Sequence, residues 1–310
     1  MPDPRIVFMG TPDFAVASLQ RLLEGGCNII AVVTAPDKPA GRGMQLTESA
    51  VKKYAVQHSI KVLQPEKLKN ETFLNEIREL KADLNVVVAF RMLPEAIWSM
   101  PPLGTINLHG SLLPQYRGAA PINWAIINGE KTTGVTTFKL KHEIDTGDIL
   151  LSRVISIGED ETAGELHDRM KEIGANLILE TVKGLNDGSL QEIPQNKILD
   201  VPISQIKHAP KIFTETCRID WNKSVEEIYN LIRGLSPYPG AFTLLNGKTL
   251  KIYKAKKEKA EESISSEQFE TDNKTYLKFA ATNGSISVLE LQLEGKKRMG
   301  IEEFLRGWRS

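Results

Sequence analysis

Two polar residues able to take part in chemistry end an apolar run of this sequence. Asn107 and His109 close the segment 104–109 (GTINLH), which has the character of a strand. Residues two apart on a strand point to the same side, so the amide and the imidazole face one small volume. This pair suits a reaction in which negative charge develops on an oxygen and a proton has to move. By itself, the pair is also compatible with two hydrogen-bonded structural residues.

The segment DTGD, residues 145–148, supplies a carboxylate that the same site could use. Its glycine, Gly147, is expected to let the chain fold back in a sharp turn. A carboxylate delivered on such a turn can orient a histidine ring by hydrogen bonding to it. Asp145 and Asp148 both suit that role, and Asp148 could instead only cap the turn. The sequence leaves the choice open.

Several common catalytic and binding motifs are absent from the sequence. It contains no G-x-S-x-G nucleophile elbow, no G-x-G-x-x-G fingerprint and no P-loop. Pro12, which follows the first apolar run closely, lacks the backbone N–H that a phosphate cradle would use. The two cysteines, Cys27 and Cys217, lie far apart, which argues against a disulfide framework or a zinc site. No metal is expected.

Apolar runs alternate with helical patterns through the first part of the chain. Four runs are mostly apolar rather than alternating, as is typical of parallel strands covered on both faces: 5–9, 28–34, 83–90 and 104–109. Helices are expected between them, the first with Thr11 as its N-cap and Pro12 as its first residue. The predicted fold class is α/β, a Rossmann-like, mostly parallel sheet with helices on both faces. Sites in such sheets form at the carboxyl ends of strands, where Asn107 and His109 lie.

The pattern changes after residue 133. Paired strands are expected at 134–140 and 149–157, followed by a long helix over 163–185. A polar, proline-containing stretch without periodicity then indicates a linker, and a smaller, mostly β region follows it. The predicted boundaries are 1–189 for a catalytic domain, 190–208 for the linker and 209–310 for the second domain.

The second predicted domain is more basic than the rest of the chain. It holds 17 Lys and Arg against 14 Asp and Glu, whereas the whole chain has 39 of each and no formal net charge. Zero net charge argues against binding DNA or membranes by bulk charge, but it allows a local basic surface. Lys256 and Lys257 belong to a lysine cluster at 251–259. Such a cluster is also consistent with a solvated face.

The remaining composition is that of a cytoplasmic protein. The chain of 310 residues is 41% hydrophobic and 25% charged. Residues 1–5 contain an acid and two prolines, so no signal peptide is expected. No apolar run approaches the ~20 residues of a membrane span.

A loop rich in Pro and Gly follows the second predicted strand. It covers residues 35–46 (APDKPAGRGMQL) and has a composition that cannot pack a core. It can place Arg42 on a phosphate or a carboxylate. A mobile surface loop is the alternative.

The combination of these segments resembles the 10-formyltetrahydrofolate-dependent formyltransferases. The residues that carry the resemblance are NLH (107–109), SLLP (111–114), RGAAP (117–121) and DTGD (145–148). The segments VFMGTPDFA, PDKPAGRG and RIDW (218–221) are similar to those of the members that act on methionine attached to initiator tRNA. The resemblance covers nearly the whole chain.

The resemblance implies direct transfer of the formyl group from 10-formyltetrahydrofolate to the α-amine of methionine on initiator Met-tRNA, for translation initiation. Asn107 and His109 would stabilise the tetrahedral oxyanion, and His109 would help to move protons towards N10 of the folate. Asp145 would hold His109. Neither a metal nor a covalent enzyme intermediate is implied, and the chain is expected to act as a monomer.

The resemblance also implies where the two substrates bind. The family's folate-binding turn matches Ser111, Leu112, Leu113 and Pro114, and its pteridine-gripping segment matches a stretch that includes Phe90 and Met92. The loop with Arg42 would reach the tRNA acceptor end. The second domain would be a β-barrel (OB-like) that contacts tRNA, for which Lys256 and Lys257 are the candidates.

Two departures from the family pattern concern contacts rather than the reaction. Phe90-Arg91-Met92 stands where relatives often carry Tyr-Gly and one further residue, which affects the pteridine contacts. Residues 141–144 (KHEI) stand where relatives often have Asp-x-Gly, so Asp145 is better supported as a site residue than any residue just before it.

Two rival functions remain open at this point. A formyltransferase for a small amine, such as an amino sugar nucleotide or glycinamide ribonucleotide, would keep the Asn/His/Asp set. It would need neither the Arg42 loop nor a basic second domain. A non-catalytic tRNA- or folate-binding protein would not need that set.

Overall fold

The computed structural model describes residues 3–40, 45–198, 202–259 and 269–308. The chain divides into two compact units, each built from segments that are not contiguous in sequence. The first unit comprises Met1–Gly118, Gly134–Ile155 and His167–Lys207; the second comprises Ala119–Thr133, Ser156–Leu166 and His208–Ser310.

The secondary structure alternates strand and helix first and is mostly β later. The strands are β1 (Ile6–Gly10), β2 (Ile29–Val33), β3 (Lys38–Ala40), β4 (Gln45–Thr47), β5 (Val62–Leu63), β6 (Leu84–Val88), β7 (Thr105–His109), β8 (Arg117–Gly118), β9 (Thr132–Lys139), β10 (Ile149–Ser156), β11 (His208–Ala209), β12 (Ala241–Leu245), β13 (Lys248–Lys259), β14 (Phe269–Thr271), β15 (Leu277–Ala281), β16 (Gly284–Leu293) and β17 (Met299–Gly300). The α-helices are α1 (Asp13–Glu24), α2 (Ala50–Gln57), α3 (Glu71–Glu79), α4 (Glu95–Trp98), α5 (Pro121–Ile127), α6 (Ala163–Asn186), α7 (Val225–Gly234) and α8 (Ile301–Arg306). In the described ranges no helix combines the length and apolarity needed to cross a membrane.

A seven-stranded sheet organises the first part of the chain, in the order β10-β9-β7-β6-β1-β2-β5. The strands from β7 to β5 are parallel to their neighbours, and β9 runs antiparallel to β7. All five residues of β1 and all five of β6 are buried, as expected for strands covered on both faces. The predicted α/β class with a mostly parallel sheet is confirmed.

Helix α1 begins one residue later than predicted. Pro12 is the N-cap, with φ −82° and ψ 175°, and its side chain makes no capping bond. The prediction of Thr11 as N-cap is therefore wrong. The backbone stays extended through Pro12, whose carbonyl accepts a 3.0 Å bond from Ala15 N. Asp13 then places a carboxylate in the first helical turn, where the helix dipole favours negative charge.

The register of the sheet brings the segments that follow β6 and β7 to the same end of the sheet, the carboxyl end of its parallel strands. In the parallel pair β6–β7, Val87 lies opposite Asn107 and Val88 opposite Leu108. The two strands therefore end side by side, and the residues that follow them leave from the carboxyl end of the sheet. Strand β9 lies on the other side of β7, with Thr136 opposite His109.

The second unit contains an antiparallel sheet in the order β12-β13-β16-β15-β14, with β17 paired to β16. The β13–β16 register shifts on both sides of Lys254, and such a bulge bends a strand and increases its twist. Helix α7 contributes Ile228 and Ile232 to the core, and Trp221 stacks on Phe279 with ring centroids 4.5 Å apart. The predicted barrel-like second domain is confirmed as a curled antiparallel sheet.

A tight hairpin turn joins β12 and β13. Leu245 pairs with Lys248, so a two-residue loop joins the strands. Asn246 and Gly247 have φ angles of 49° and 76°. This left-handed pair is the conformation that an Asn-Gly loop adopts most readily.

Candidate active site

Asn107 presents an uncommitted amide at the carboxyl end of β7. Its side chain is half-buried and makes no hydrogen bond to any residue that the structure describes. Asn85, on the adjacent strand, is different: it is fully buried and donates to Ile97 O and to Thr105 Oγ1. Asn107 therefore has its donor available for a ligand on the side of the strand that His109 also faces.

His109 is held in one ring orientation by its surroundings. The residue is only 6% exposed. Its Nε2 lies 2.9 Å from Tyr116 O, and because a carbonyl can only accept, Nε2 is the protonated nitrogen of the neutral ring. Nδ1 is then the basic nitrogen, and it lies 3.8 Å from Asp145 Oδ2. A proton taken up at Nδ1 would sit beside a carboxylate.

The carboxylate that approaches His109 belongs to Asp145 rather than to Asp148. Asp145 Oδ2 accepts a 3.0 Å hydrogen bond from Gly118 N, and its side chain is 12% exposed. Asp148 instead forms a 2.7 Å ion pair with Lys141. The structure thus settles the geometric choice that the sequence left open. No group of three or more His, Cys, Asp and Glu residues converges as a metal site in the described ranges.

Gly147 is required for a different reason from the one expected. The residue of this turn with a left-handed backbone is Asp145, at φ 55°, and not the glycine. A Cβ at Gly147 would lie 1.5 Å from Lys139 O at the end of β9. Glycine is therefore needed for the close approach of the turn to that strand.

A glutamine that sequence reasoning missed joins the site from the stretch predicted as a linker. Gln195 is 4% exposed. Its Nε2 donates 2.8 Å hydrogen bonds to both Asp145 O and Gly147 O. Its Oε1 accepts from Arg117, at 3.1 Å from Nε and 2.5 Å from Nη2. Nothing in the sequence of that polar stretch singles out this residue.

The position of Gln195 follows from a local backbone pairing. Ile193 and Ile149 form an antiparallel bridge with two 2.9 Å hydrogen bonds. Because the bridge is antiparallel, Gln195, two residues after Ile193, lies against Gly147, two residues before Ile149. Burial lowers the pKa of the Arg117 guanidinium, and the negative charges of Asp145 and Glu143 act in the opposite direction. An arginine remains charged under these conditions, so Gln195 accepts charge-assisted bonds.

The predicted folate-binding turn is fixed by its own hydrogen bonds. Ser111 Oγ donates to Gln115 O at 2.6 Å. Thr136 Oγ1 donates to Ser111 O at 2.7 Å and lies 3.2 Å from Leu113 N, which donates to it. Ser111, Leu113 and Pro114 are buried, whereas Leu112 is half-buried. The segment therefore presents a rigid backbone and one partly accessible apolar side chain directly after His109.

The other predicted folate contacts, Phe90 and Met92, follow the carboxyl end of β6, next to the end of β7. Phe90 is half-buried and packs against the core cluster beneath it, and the Arg91 guanidinium lies 5.5 Å from its ring centroid. Arg91 donates to Glu66 O at 2.9 Å and to Pro65 O. Met92 is 72% exposed. Phe90 and Met92 therefore present accessible apolar surface after β6, one strand away from Asn107 and His109.

Arg42, the predicted tRNA contact, lies outside the described residues. The strands that flank it, β3 and β4, form a separate two-stranded sheet. At the base of this hairpin, Lys52 of α2 forms ion pairs with Asp37 before β3 and, at 2.9 Å, with Glu48 after β4. Hydrogen bonds from Lys52 and then Gln64 hold the pKa of the Asp37 carboxyl below its ordinary value.

The two lysines predicted to touch tRNA do not share a surface. Lys256 is exposed and has no ion-pair partner among the described residues. Lys257 forms a 2.8 Å ion pair with Glu226 and lies 5.1 Å from the Tyr229 ring centroid. Adjacent residues on a strand point to opposite faces, so the two side chains leave β13 on different faces.

Comparison with known proteins identifies the family. Residues 4–182 match the formyl transferase family, and residues 211–309 match the formyl transferase C-terminal domain. The chain is 55% identical over 313 residues to the methionyl-tRNA formyltransferase of Parabacteroides distasonis, an alignment covering 99% of this chain and 96% of that protein. The corresponding protein of Bacteroides fragilis is 51% identical over 311 residues, covering 99% and 95%. The chain belongs to the methionyl-tRNA formyltransferase family.

Solved structures of other formyltransferases share the fold of this methionyl-tRNA formyltransferase family member. The sugar 3N-formyl transferase WlaRD, solved with dTDP and 5-N-formyl-THF, superposes with a TM-score of 0.68 at 21% identity, covering 95% of this chain and 99% of that chain. An N-formyltransferase from Helicobacter canadensis, solved with folinic acid and dTDP-3-aminofucose, also gives 0.68 at 21% identity, covering 96% and 100%. At this identity the likeness extends to the fold alone.

Proposed function

We propose that this chain transfers the formyl group of 10-formyltetrahydrofolate to the α-amino group of methionine on initiator Met-tRNA. The observation that supports it best is the arrangement at the end of β7. There an uncommitted Asn107 amide faces the same side as His109, whose second ring nitrogen lies 3.8 Å from Asp145. This arrangement belongs to a chain that matches methionyl-tRNA formyltransferases over 99% of its length.

Each residue of the site has a distinct part in the proposed transfer. The neutral amine attacks the formyl carbon, so a new C–N bond forms and charge develops on the formyl oxygen. The Asn107 amide donates to that oxygen, which lowers the barrier because the donor is already in place. His109 passes the amine proton towards N10, which leaves as a neutral amine when its bond to the formyl carbon breaks. Asp145 stabilises the imidazolium formed on the way.

The folate is proposed to bind along the edge formed by the segments after β6 and β7. The turn Ser111–Pro114 contributes its fixed backbone and the Leu112 side chain, and Phe90 and Met92 contribute apolar surface. The support is the half-buried or exposed state of Leu112, Phe90 and Met92 beside the site. A rigid turn directly after His109 suits this task, because orientation of two reactants can account for ~7 kcal/mol of a barrier.

The tRNA is proposed to contact Arg42 and the exposed Lys256, acting on phosphates. We retain 1–189, 190–208 and 209–310 as the proposed functional division into catalytic domain, linker and tRNA-contacting domain. A cytoplasmic monomer is the proposed working form.

The decisive experiment measures formyl transfer from 10-formyltetrahydrofolate to charged initiator Met-tRNA. The wild type is compared with Asn107→Ala and His109→Ala. We expect kcat to fall by about 10²–10³-fold without the amide and by about 10²–10⁴-fold without the imidazole. His142→Ala is the matched control, because that histidine side chain is 88% exposed and lies on a loop surface.

Two outcomes would contradict the proposal. Formyl transfer by the wild type to an amino sugar nucleotide, with none to Met-tRNA, would retain the folate site and replace the tRNA substrate. Full activity in both variants would remove Asn107 and His109 from the catalytic set.

A further inference from the structure

Gln195 is a buried polar side chain that the proposed chemistry does not itself use. Its amide nitrogen has two acceptors, Asp145 O and Gly147 O, each at 2.8 Å. Its amide oxygen has two donors on the Arg117 guanidinium. A buried amide with all of these bonds made has one orientation, because rotating it would leave buried polar groups unpaired.

One end of this side chain fixes the turn that carries Asp145. The backbone of Asp145 is left-handed, at φ 55°, a conformation that costs a non-glycine residue free energy unless its surroundings over-determine it. Gln195 bonds the carbonyls on both sides of the turn, at positions 145 and 147. It therefore holds the backbone from which the Asp145 carboxylate projects.

The other end fixes the loop that carries the hydrogen-bond partners of His109 and Asp145. Arg117 lies between Tyr116, whose carbonyl accepts from His109 Nε2 at 2.9 Å, and Gly118, whose N–H donates to Asp145 Oδ2 at 3.0 Å. Tyr116 N in turn donates to Lys207 O at 2.6 Å. Holding Arg117 thus holds the backbone groups on either side of it.

We propose that Gln195 is a positioning residue for formyl transfer. Its single amide ties the Asp145 turn to the Tyr116–Gly118 loop and so sets the separation between His109 and Asp145. The inference rests on the proposed function, since it takes these two residues as the catalytic pair. Gln195 touches no substrate and acts through Asp145 and Arg117.

The test compares two substitutions that separate the two ends of the amide. Gln195→Met keeps the length of the side chain and removes every hydrogen bond. Gln195→Glu keeps an acceptor for Arg117 but replaces the donor that faces the two turn carbonyls. Gln292→Met is the matched control, because Gln292 also accepts a 2.8 Å bond and donates one of 2.9 Å, in the second unit.

The expected result is a loss of kcat with the KM values for Met-tRNA and 10-formyltetrahydrofolate unchanged. Both Gln195 variants should lose about 10- to 100-fold in kcat, the effect of a small misplacement of catalytic groups. A loss confined to kcat and kcat/KM marks an interaction that matters in the transition state. The Gln292 variant should keep wild-type kcat, with stability followed by thermal unfolding of all three proteins.

A double-mutant cycle with Asp145→Asn makes the test specific. If Gln195 acts through Asp145, adding Gln195→Met to Asp145→Asn should lower kcat little further. Additive losses, or a Gln195→Met protein that is less stable but has wild-type kcat per folded molecule, would overturn the inference. Wild-type kcat in Asp145→Asn would instead show that the catalytic assignment has failed. A loss in Asp145→Asn with none in Gln195→Met would overturn this inference alone.

Discussion

The Asp145 turn and the β3–β4 hairpin both have the composition of exposed loops, but they differ in the contacts that fix them to the rest of the protein. In the turn, the Asp145 carboxylate accepts a hydrogen bond from Gly118 N, and the carbonyls of Asp145 and Gly147 both accept from the Gln195 side chain. The hairpin, in contrast, pairs with no other strand in the described residues. Its ion pairs lie at its base, where Lys52 reaches Asp37 and Glu48.

The difference reflects what each region has to do. A reaction is slowed strongly when catalytic groups are displaced by as little as ~1 Å, so the turn is bonded on every side. The hairpin, for which we propose a tRNA contact through Arg42, has to stay exposed to reach so large a substrate. Because a lone two-stranded hairpin is at best marginally stable, its direction depends on the few contacts at its base.

Gly147→Ala is the substitution that should break the turn most completely. The added Cβ would lie 1.5 Å from Lys139 O, and backbone cannot yield as the end of a side chain can. We expect the free energy of unfolding to fall by about 3 kcal/mol, the upper part of the range for overpacking, and kcat to fall with it. Chemical denaturation and the formyl transfer assay measure the two effects.

Gly307→Ala is the control for this prediction. A Cβ at Gly307 has Phe304 O as its nearest neighbour, at 3.9 Å, which is ordinary contact. A Gly147→Ala protein as stable and as active as the Gly307→Ala protein would show that the turn is less constrained than its close approach to β9 indicates.

Lys52→Met should loosen the hairpin without disturbing the reaction. It keeps most of the side chain but removes the charge that joins Asp37 to Glu48. We expect the KM for Met-tRNA to rise several-fold, with kcat and the KM for 10-formyltetrahydrofolate unchanged. Faster hydrogen exchange at the amides of Lys38, Ala40 and 45–47 should accompany it.

Lys171→Met is the matched control. Lys171, on α6, also forms a 2.9 Å ion pair, in its case with Asp13 of α1. If Lys52→Met raised hairpin exchange but left the KM for Met-tRNA unchanged, the hairpin would have no part in tRNA binding.

The smallest expected effect is on tRNA binding, and it should distinguish the Lys256→Ala variant from the Lys257→Ala variant. Lys256→Ala should weaken tRNA binding a few-fold and lower the dependence of log affinity on log salt by about 1, the loss of one phosphate contact. Lys257→Ala should leave both quantities unchanged, because its ammonium is already paired with Glu226. Binding titrations over a range of salt concentrations measure this. The reverse result would place the tRNA on the other face of β13.

Local signals in the sequence were sufficient for much of the fold. The apolar runs that became β1 and β6 could only be buried strands, and Asn246-Gly247 has its own conformational preference for the turn found there. The pair Asn107 and His109 was predictable for the same reason, since two residues on one strand share a face whatever surrounds them. The start of α1 was misplaced by one residue, since Pro12 keeps an extended backbone and is the N-cap.

The sequence by itself determined the α/β class, the family and the residue types of the site. Only the tertiary structure decided that Asp145 and not Asp148 faces His109, that Gly147 is needed for a close approach, and that Gln195 holds the turn. It also decided that Lys257 is paired with Glu226, whereas Lys256 has no ion-pair partner in the part of the chain that the structure describes. The physical reason is that each of these facts depends on a partner distant in sequence: Gln195 lies 50 residues from Asp145 and 78 from Arg117. No local pattern encodes such a distance, because it is set by the packing of strands and turns around it.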